Sequence, residues 1–366
     1  MRTILILMRK EFKQIFRNKA MLPILFVMPI IQLLILSNAA DFEIKHVYVG
    51  WEDFDHSPAS QKLFTKFAGN PYFIMVSSSE NMNANDEAIR TRKIDLVIAI
   101  PADFERNLQN GRETEIQLRI NAIDGSAAGL IMSYVSQVIS DYEMRDFLKL
   151  NREINFYESR YLYNLGLKYK NYMVPGILVI LVTIIGMILN ALNIAREKEI
   201  GTIEQINVTP IKKQQFIAGK LLPMLILGIA EFTIGLLIAL LVFKVPFFGS
   251  FLTLYAFLIV YLVVMLAMGL YISTQVNTQQ QAMFLAFFVI MIFIFLSGMF
   301  SAVENMPVWG QYISKFIPIS YFMRDVRTIM LKGATFRNLI NDFLILVAFA
   351  IVSLGGAILS YRKKSG

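Results

Sequence analysis

Residues 174–193 read VPGILVILVTIIGMILNALN, and the chain then turns at once into Arg196-Glu197-Lys198-Glu199-Ile200-Gly201-Thr202. A helix crossing the hydrocarbon core of a bilayer needs about 20 mostly apolar residues. The run is therefore read as a membrane span that ends in a cluster of charge. Working outward, comparable runs lie at 20–38, 216–243, 252–273, 282–302 and 338–360. Composition agrees. The chain is 56% hydrophobic and 17% charged, with a mean hydropathy of +0.54, whereas soluble domains sit near about 45–50% apolar and about 25% charged. The expected fold is an α-helical polytopic membrane protein with six transmembrane helices and one inserted domain.

That domain occupies 39–173, between the first two spans. Val47–Trp51, Tyr72–Val76, Leu96–Ile100 and Glu115–Ala122 are strand-like, while Ser60–Phe67, Asn85–Arg92 and Ala102–Leu108 are helix-like. Strands that alternate with helices predict a small α/β layer. From Ala127 to Lys170 a helical pattern leads back towards Pro175 as a stalk.

Orientation follows from Lys and Arg in short segments. Arg2, Arg9, Lys10, Lys13, Arg17 and Lys19 precede the first span. Arg196, Lys198, Lys212, Lys213 and Lys220 follow the second, and Arg362, Lys363 and Lys364 end the tail at 361–366. Six spans then put both termini in the cytoplasm and the α/β domain outside. The net charge of +8 is accordingly a topogenic signal, and nucleic acid is not an expected partner. The start of the chain also resembles a secretory signal, with Ser37-Asn38-Ala39 as small residues at a cleavage site. Its long basic region and Pro23 and Pro29 favour a retained anchor. Within 1–19, Leu5, Met8, Phe12, Ile15 and Phe16 fall on one helical face, opposite Arg9, Lys10, Lys13 and Arg17. This pattern predicts an amphipathic helix at the inner leaflet, or else a solvated charged leader.

The segment 194–215 joins spans two and three. Gly201 permits the span-two helix to break. Thr202 and Gln205 have the spacing of a capping box that opens a new short helix, and Pro210 stops it. A short charged helix held close to the bilayer is suited to docking a cytoplasmic partner; an ordinary turn held by surface ion pairs is the plain alternative. Thr278-Gln279-Gln280-Gln281 forms the other inner turn. Residues 303–335 are too short and too polar to span. Pro307 and Pro318 cut them into two pieces carrying Trp309, Tyr312, Phe316, Tyr321 and Phe322, which predicts half-membrane helices with Arg324, Asp325 and Arg327 paired locally. Glu231 lies well inside a span, and such a carboxylate is a functional candidate by default. It could face a wet cavity, bind a substrate cation, or hydrogen-bond a neighbouring helix. Asn190 and Asn193 are read as helix-packing residues.

The run Arg196-Glu197-Lys198-Glu199-Ile200-Gly201-Thr202-Ile203-Glu204-Gln205, with Thr209-Pro210 after it, closely resembles the signature of the ABC type-2 permeases. These are membrane subunits of ATP-binding-cassette exporters. Further likenesses are Arg9-Lys10-Glu11-Phe12, Asp55-His56-Ser57-Pro58, Ile100-Pro101-Ala102-Asp103-Phe104, Leu296-Ser297-Gly298-Met299-Phe300, Glu304-Asn305-Met306-Pro307 and Met330-Leu331-Lys332-Gly333. They run in order over nearly the whole chain. The resemblance implies that Arg196, Glu197, Glu199, Gly201, Thr202, Glu204 and Gln205 couple the permease to an ATPase. It also implies two ATPase copies, a second permease (identical or paralogous), ATP and Mg bound by the partner, and a multidrug-type pump meeting a periplasmic adaptor at the inner membrane. Apolar spans suit an amphipathic, drug- or lipid-like cargo.

No G-x-x-x-x-G-K-[ST] phosphate loop occurs, since Gly219-Lys220 lacks its flanking residues. Cysteine is absent, so thiolate chemistry has no ligand, and the two histidines, His46 and His56, cannot build a zinc site without unusual help from carboxylates. No cofactor or metal is expected in this chain. Two other classes compete with a pump. An ion-coupled secondary transporter usually places several ionisable groups at mid-membrane, and only Glu231 does so here. A membrane-anchored sensor or scaffold would not require six spans.

Overall fold

A computed structural model describes residues 2–17, 23, 27–39, 46–78, 82–91, 93–110, 112, 114–122, 125–142, 169–202, 211–300 and 302–361. The chain divides into two compact units, Met1–Asp41 with Tyr161–Gly366, and Phe42–Arg160.

The Phe42–Arg160 unit holds strands β1 (Val47–Asp53), β2 (Phe73–Ser78), β3 (Leu96–Ile100) and β4 (Gln117–Ile120) in the order β2-β1-β3-β4. β1 pairs in parallel with β2 and with β3, Val49 opposite Leu96 and Trp51 opposite Ile98. β4 closes the edge antiparallel, Leu96 opposite Ile120. Every residue of β3 is buried, as a central strand covered on both faces requires. Helices α3 (Pro58–Ala68), α4 (Met82–Arg90), α5 (Phe104–Gln109) and α6 (Gly125–Tyr142) accompany the sheet. Trp51, Phe67 and Phe73 join Leu63, Ile98 and Val135 in the core, with Phe67 edge-on to Phe73 at 5.1 Å.

The Asp55-His56-Ser57-Pro58 stretch acts as a double cap. Ser57 accepts from the Ser60 amide at the start of α3, with Pro58 in the first turn. The Asp55 carboxylate accepts from the Phe104 and Glu105 amides at 2.9 and 3.0 Å, at the start of α5. Both satisfy amide groups that a helix start leaves orphaned. Beneath α4, the fully buried Glu52 takes Asn85 Nδ2 at 2.8 Å and the Arg119 guanidinium, which also reaches Asp86. The stalk expected over 127–170 is helical over Gly125–Tyr142 and from Tyr169; 143–168 lie outside the described residues.

In the other unit, α1 (Arg2–Arg17) and α2 (Met28–Ala39) come first. α7 (Tyr169–Ile184) passes through a π-helical turn, Ile185–Leu189, into α8 (Asn190–Glu199). Then follow α9 (Lys213–Leu241), α10 (Phe251–Gln275), α11 (Gln279–Leu296), α12 (Val308–Ser314), α13 (Pro318–Lys332) and α14 (Ile340–Ser360). Among the described residues five helices are long and apolar enough to span: Lys170–Glu199, Lys213–Leu241, Phe251–Gln275, Gln279–Leu296 and Phe336–Ser360. The run at 20–38 lies partly outside the described residues, and its described end is α2. The 282–302 span stops early, at Leu296, where Ser297 closes α11 by donating to the Ile294 carbonyl.

Span two is the hub of this unit. Of an 18-residue apolar stretch of it, 83% of residues are buried inside the chain, against 17% for the matching stretches of Gln279–Leu296 and Phe336–Ser360. Thr183 and Tyr261 hydrogen-bond between α7 and α10, and Asn190 Nδ2 donates to the Leu266 carbonyl at 2.7 Å. Asn190 is thus the interhelical clamp its place in the sequence suggests.

Region 303–335 forms two short helices, α12 behind Pro307 and α13 behind Pro318. Arg324, Asp325 and Arg327 do not pair with one another. Arg324 pairs with Asp342 at 2.9 Å. Arg327 donates to the carbonyls of Tyr172, Gly298 and Met299 and stacks 3.6 Å from the Tyr172 ring. Asp325 is fully buried. Asp325 is one and two residues from the two arginines, spacings that do not face each other on a helix. Both arginines therefore take partners from other elements, while neither Asp325 oxygen has a hydrogen-bond partner among the described residues.

Candidate functional site

The charged cluster that ends span two distributes its side chains among several helices. Glu197 is buried and meets the Lys220 ammonium of α9 at 2.7 Å and the Lys10 ammonium of α1. Lys198 donates to the carbonyls of Ser273, Thr274 and Val276 at 2.5, 3.3 and 3.1 Å. It thereby caps the electronegative end of α10, where a cation is stabilising. Glu199 accepts from the backbone amide and side-chain amide of Gln279, both at 3.0 Å, at the electropositive start of α11. Three consecutive residues thus fix the ends of α9, α10 and α11 relative to α8.

α1 completes the arrangement. Glu11 lies 2.8 Å from Lys220, 3.3 Å from Lys10, and accepts from Asn193 Nδ2 at 3.0 Å. The Lys220 contacts have the distances of ion pairs without the alignment of hydrogen bonds. Glu11, Glu197 and Lys220 side chains are only 2–3% exposed, while Lys10 is 40% exposed. Burial by itself would push the Glu11 carboxyl up. The Lys220 charge, the Asn193 hydrogen bond and the Lys10 charge outweigh that and hold it below the usual carboxylate range. Close approach of α1 requires Gly219, because a Cβ there would sit 2.7 Å from Leu7 Cβ.

The amphipathic pattern of α1 therefore resolves differently from its simple two-faced form. Ile15 and Glu11 turn inward, whereas Leu5 and Phe16 are more than half exposed. Sequence reading passed over Glu11, Lys220 and the role of Lys10. The available signals were Glu11 as an acid in a basic helix, and Lys220 as a cation inside the apolar run 216–243.

Beyond Glu199 the helix breaks. The Ile200 amide donates to Arg196 O, and Gly201 takes φ +78°, in the left-handed region, with nothing within 4 Å of where a Cβ would stand. This is a glycine-terminated helix end. Thr202 bonds back to the Glu197 carbonyl at 3.3 Å. Its expected capping partner Gln205, together with Glu204 and Pro210, lies outside the described residues. Arg196 is half-buried and Glu199 exposed. The second inner turn is a formed cap, in which Thr278 accepts from the Gln281 amide and the Gln281 side chain accepts from the Asn277 amide.

Glu231 is a separate feature. It is 4% exposed, and neither carboxylate oxygen has a hydrogen-bond partner among the described residues. It lines a small cavity with Pro29, Ile30 and Leu33 of α2, Leu181 of α7, and Ile234 and Gly235 of α9. The interhelical hydrogen bond considered for it is not formed there.

The chain matches the profile described as ABC-2 family transporter protein over residues 19–359. It is 31% identical to the "Probable multidrug ABC transporter permease YbhR" of Escherichia coli K12, over 98% of each chain. It is 28% identical to the "Probable multidrug ABC transporter permease YbhS" of the same organism, over 97% of this chain and 95% of the other. With the "Inner membrane transport permease YhhJ" of E. coli K12 it shares 23% identity over 98% and 96%. The chain belongs to the ABC-2 transporter family, as a multi-pass membrane permease subunit of an ABC transporter that is not itself an ATPase.

Proposed function

We propose that this chain forms half of the export pathway of an ATP-driven pump in the inner membrane of a bacterial cell. In this reading it has six spans, 20–38 being the first, both termini are cytoplasmic, and the α/β unit lies on the outer side. Two permeases, identical or paralogous, pair with two ATPases that bind ATP and Mg. The two full-length relatives named as multidrug permeases from one organism support a paralogous pair and an amphipathic, drug- or lipid-like cargo. The α/β unit serves as a docking or gating element, with a periplasmic adaptor as its partner.

The observation that carries the reading is the hub at Glu197, Lys198 and Glu199. A push on the segment 199–205 would reach α9, α10 and α11 together through contacts that are already made. Glu199, Gly201, Thr202, Glu204 and Gln205 form the surface met by the ATPase. Arg196 and Glu197 act from behind it, Glu197 as a buried positioning group. Native mass measurement of the purified complex tests the assembly. Two permeases with two ATPases are expected, and a stable, transport-competent complex of one permease with one ATPase overturns it.

A further inference from the structure

We propose that Glu231 is the recognition point for a lipophilic cation within the pathway, so that the cargo class includes amphiphiles carrying one positive charge. The inference rests on the permease reading above and names the substrate chemistry of the Glu231 cavity. Four observations support it. Glu231 is buried at 4% exposure. Both its oxygens lack a hydrogen-bond partner among the described residues. The cavity it lines draws on α2, α7 and α9. Its companions there, Pro29, Ile30, Leu33, Leu181, Ile234 and Gly235, offer only hydrocarbon surface.

A buried carboxylate with nothing bonded to it is costly, and structural carboxylates recover that cost through a partner. Among the described residues Glu11 and Glu197 have Lys220, and Glu52 has Arg119. Asp325 is also buried with no hydrogen-bond partner among those residues, but it has the Arg324 charge acting on it. Glu231 is held in an apolar wall without such compensation. The partner that satisfies both the charge and the walls is a single cation within an apolar body. A hydrophilic cation would leave its hydration shell uncompensated, and a neutral amphiphile would leave the carboxylate as it is. The cavity is small in this arrangement, so loading requires α2 to part from α7 and α9, which are all members of one compact unit.

The test uses the full chain in nanodiscs of zwitterionic lipid, with tetraphenylphosphonium and the neutral triphenylphosphine oxide as probes. Binding of each is measured by equilibrium dialysis, alongside the thermal midpoint without probe. Wild type and E231D are expected to bind the cation at least 10-fold more tightly than E231Q, and all three to bind the neutral probe alike. E231Q should also melt no lower than wild type, because it keeps the shape of a side chain that has no hydrogen-bond partner to lose among the described residues. Three results overturn the proposal: equal cation binding by wild type and E231Q, no cation binding by wild type, or a lowered midpoint in E231Q. ATP-driven export of a neutral amphiphile by the same permease with its ATPase upholds the permease reading whichever way Glu231 falls.

Discussion

Replacing Lys220 by methionine removes the ammonium that lies 2.8 Å from Glu11 and 2.7 Å from Glu197. Those carboxylates are each 2% exposed and the ammonium 3%, so water cannot take its place. Breaking a buried pair this way costs about 3–5 kcal/mol, because a charge is left uncompensated. Lys10 still reaches both acids and is partly solvated, which places the cost near the lower end, about 3 kcal/mol. At about 2–4 °C per kcal/mol for a domain of this size, K220M should lower the thermal midpoint by about 6–12 °C in detergent. The loss should appear first as release of α1, read by trypsin cleavage at Arg9 and Arg17. Adding E197Q leaves Lys10 with Glu11 as a balanced pair, so K220M/E197Q should recover much of the loss. That non-additivity of about 1 kcal/mol or more marks a shared network. A K220M shift below about 2 °C, or additive effects in the double variant, would refute the network.

The remaining expectations concern coupling, pH and the α/β unit. At Gly201 no neighbour obstructs a Cβ and only the φ of +78° opposes one, so the penalty is backbone strain of about 1–2 kcal/mol. Coupling of ATP hydrolysis to export should fall in the order Gly, Asn, Ala, Val at 201 with membrane insertion unchanged; full transport by G201V contradicts the docking assignment. Glu11 is held below the usual carboxylate range, so its stabilisation is complete above its unfolded pKa of about 4.3 and fades as pH falls through the lower folded value. The midpoint difference between wild type and E11Q should stay constant from about pH 8 to 5 and shrink below about pH 4; a difference that already shrinks near neutrality argues against the Lys220 partnership. Replacing 42–160 with a short linker should abolish export while the partner ATPase still binds ATP, and unchanged efflux would remove the α/β unit from the transport path.

Much of the fold was legible because its signals are strong and local. Leu96–Ile100 is a continuous apolar run and becomes the strand buried on both faces. Pro307 and Pro318 start two helices, as residues with a fixed φ and no amide donor do. Boundaries fared less well where tertiary contacts decide. β1 runs on to Asp53 because Glu52, a polar residue that reads as a strand end, is drawn into the buried contact with Asn85 and Arg119. The coupling region was legible as a motif but not as a mechanism. Arg196–Glu199 reads as solvated charge, and nothing local reveals that Lys198 seeks the carbonyls near Ser273 or that Glu197 meets Lys220. Contacts such as Lys10 to Glu197 join residues far apart in the chain, and one sequence carries no record of them.

The central claim is that an ATPase docks on the end of span two. The chain contains no cysteine, so one introduced residue provides a unique cross-linking point. E199C and Y48C, both at exposed positions, are compared in the assembled complex with a short bifunctional reagent. Cross-linking from E199C to the ATPase subunit, dependent on ATP, and none from Y48C, is the result predicted. A cross-link to the ATPase from Y48C with none from E199C would contradict it.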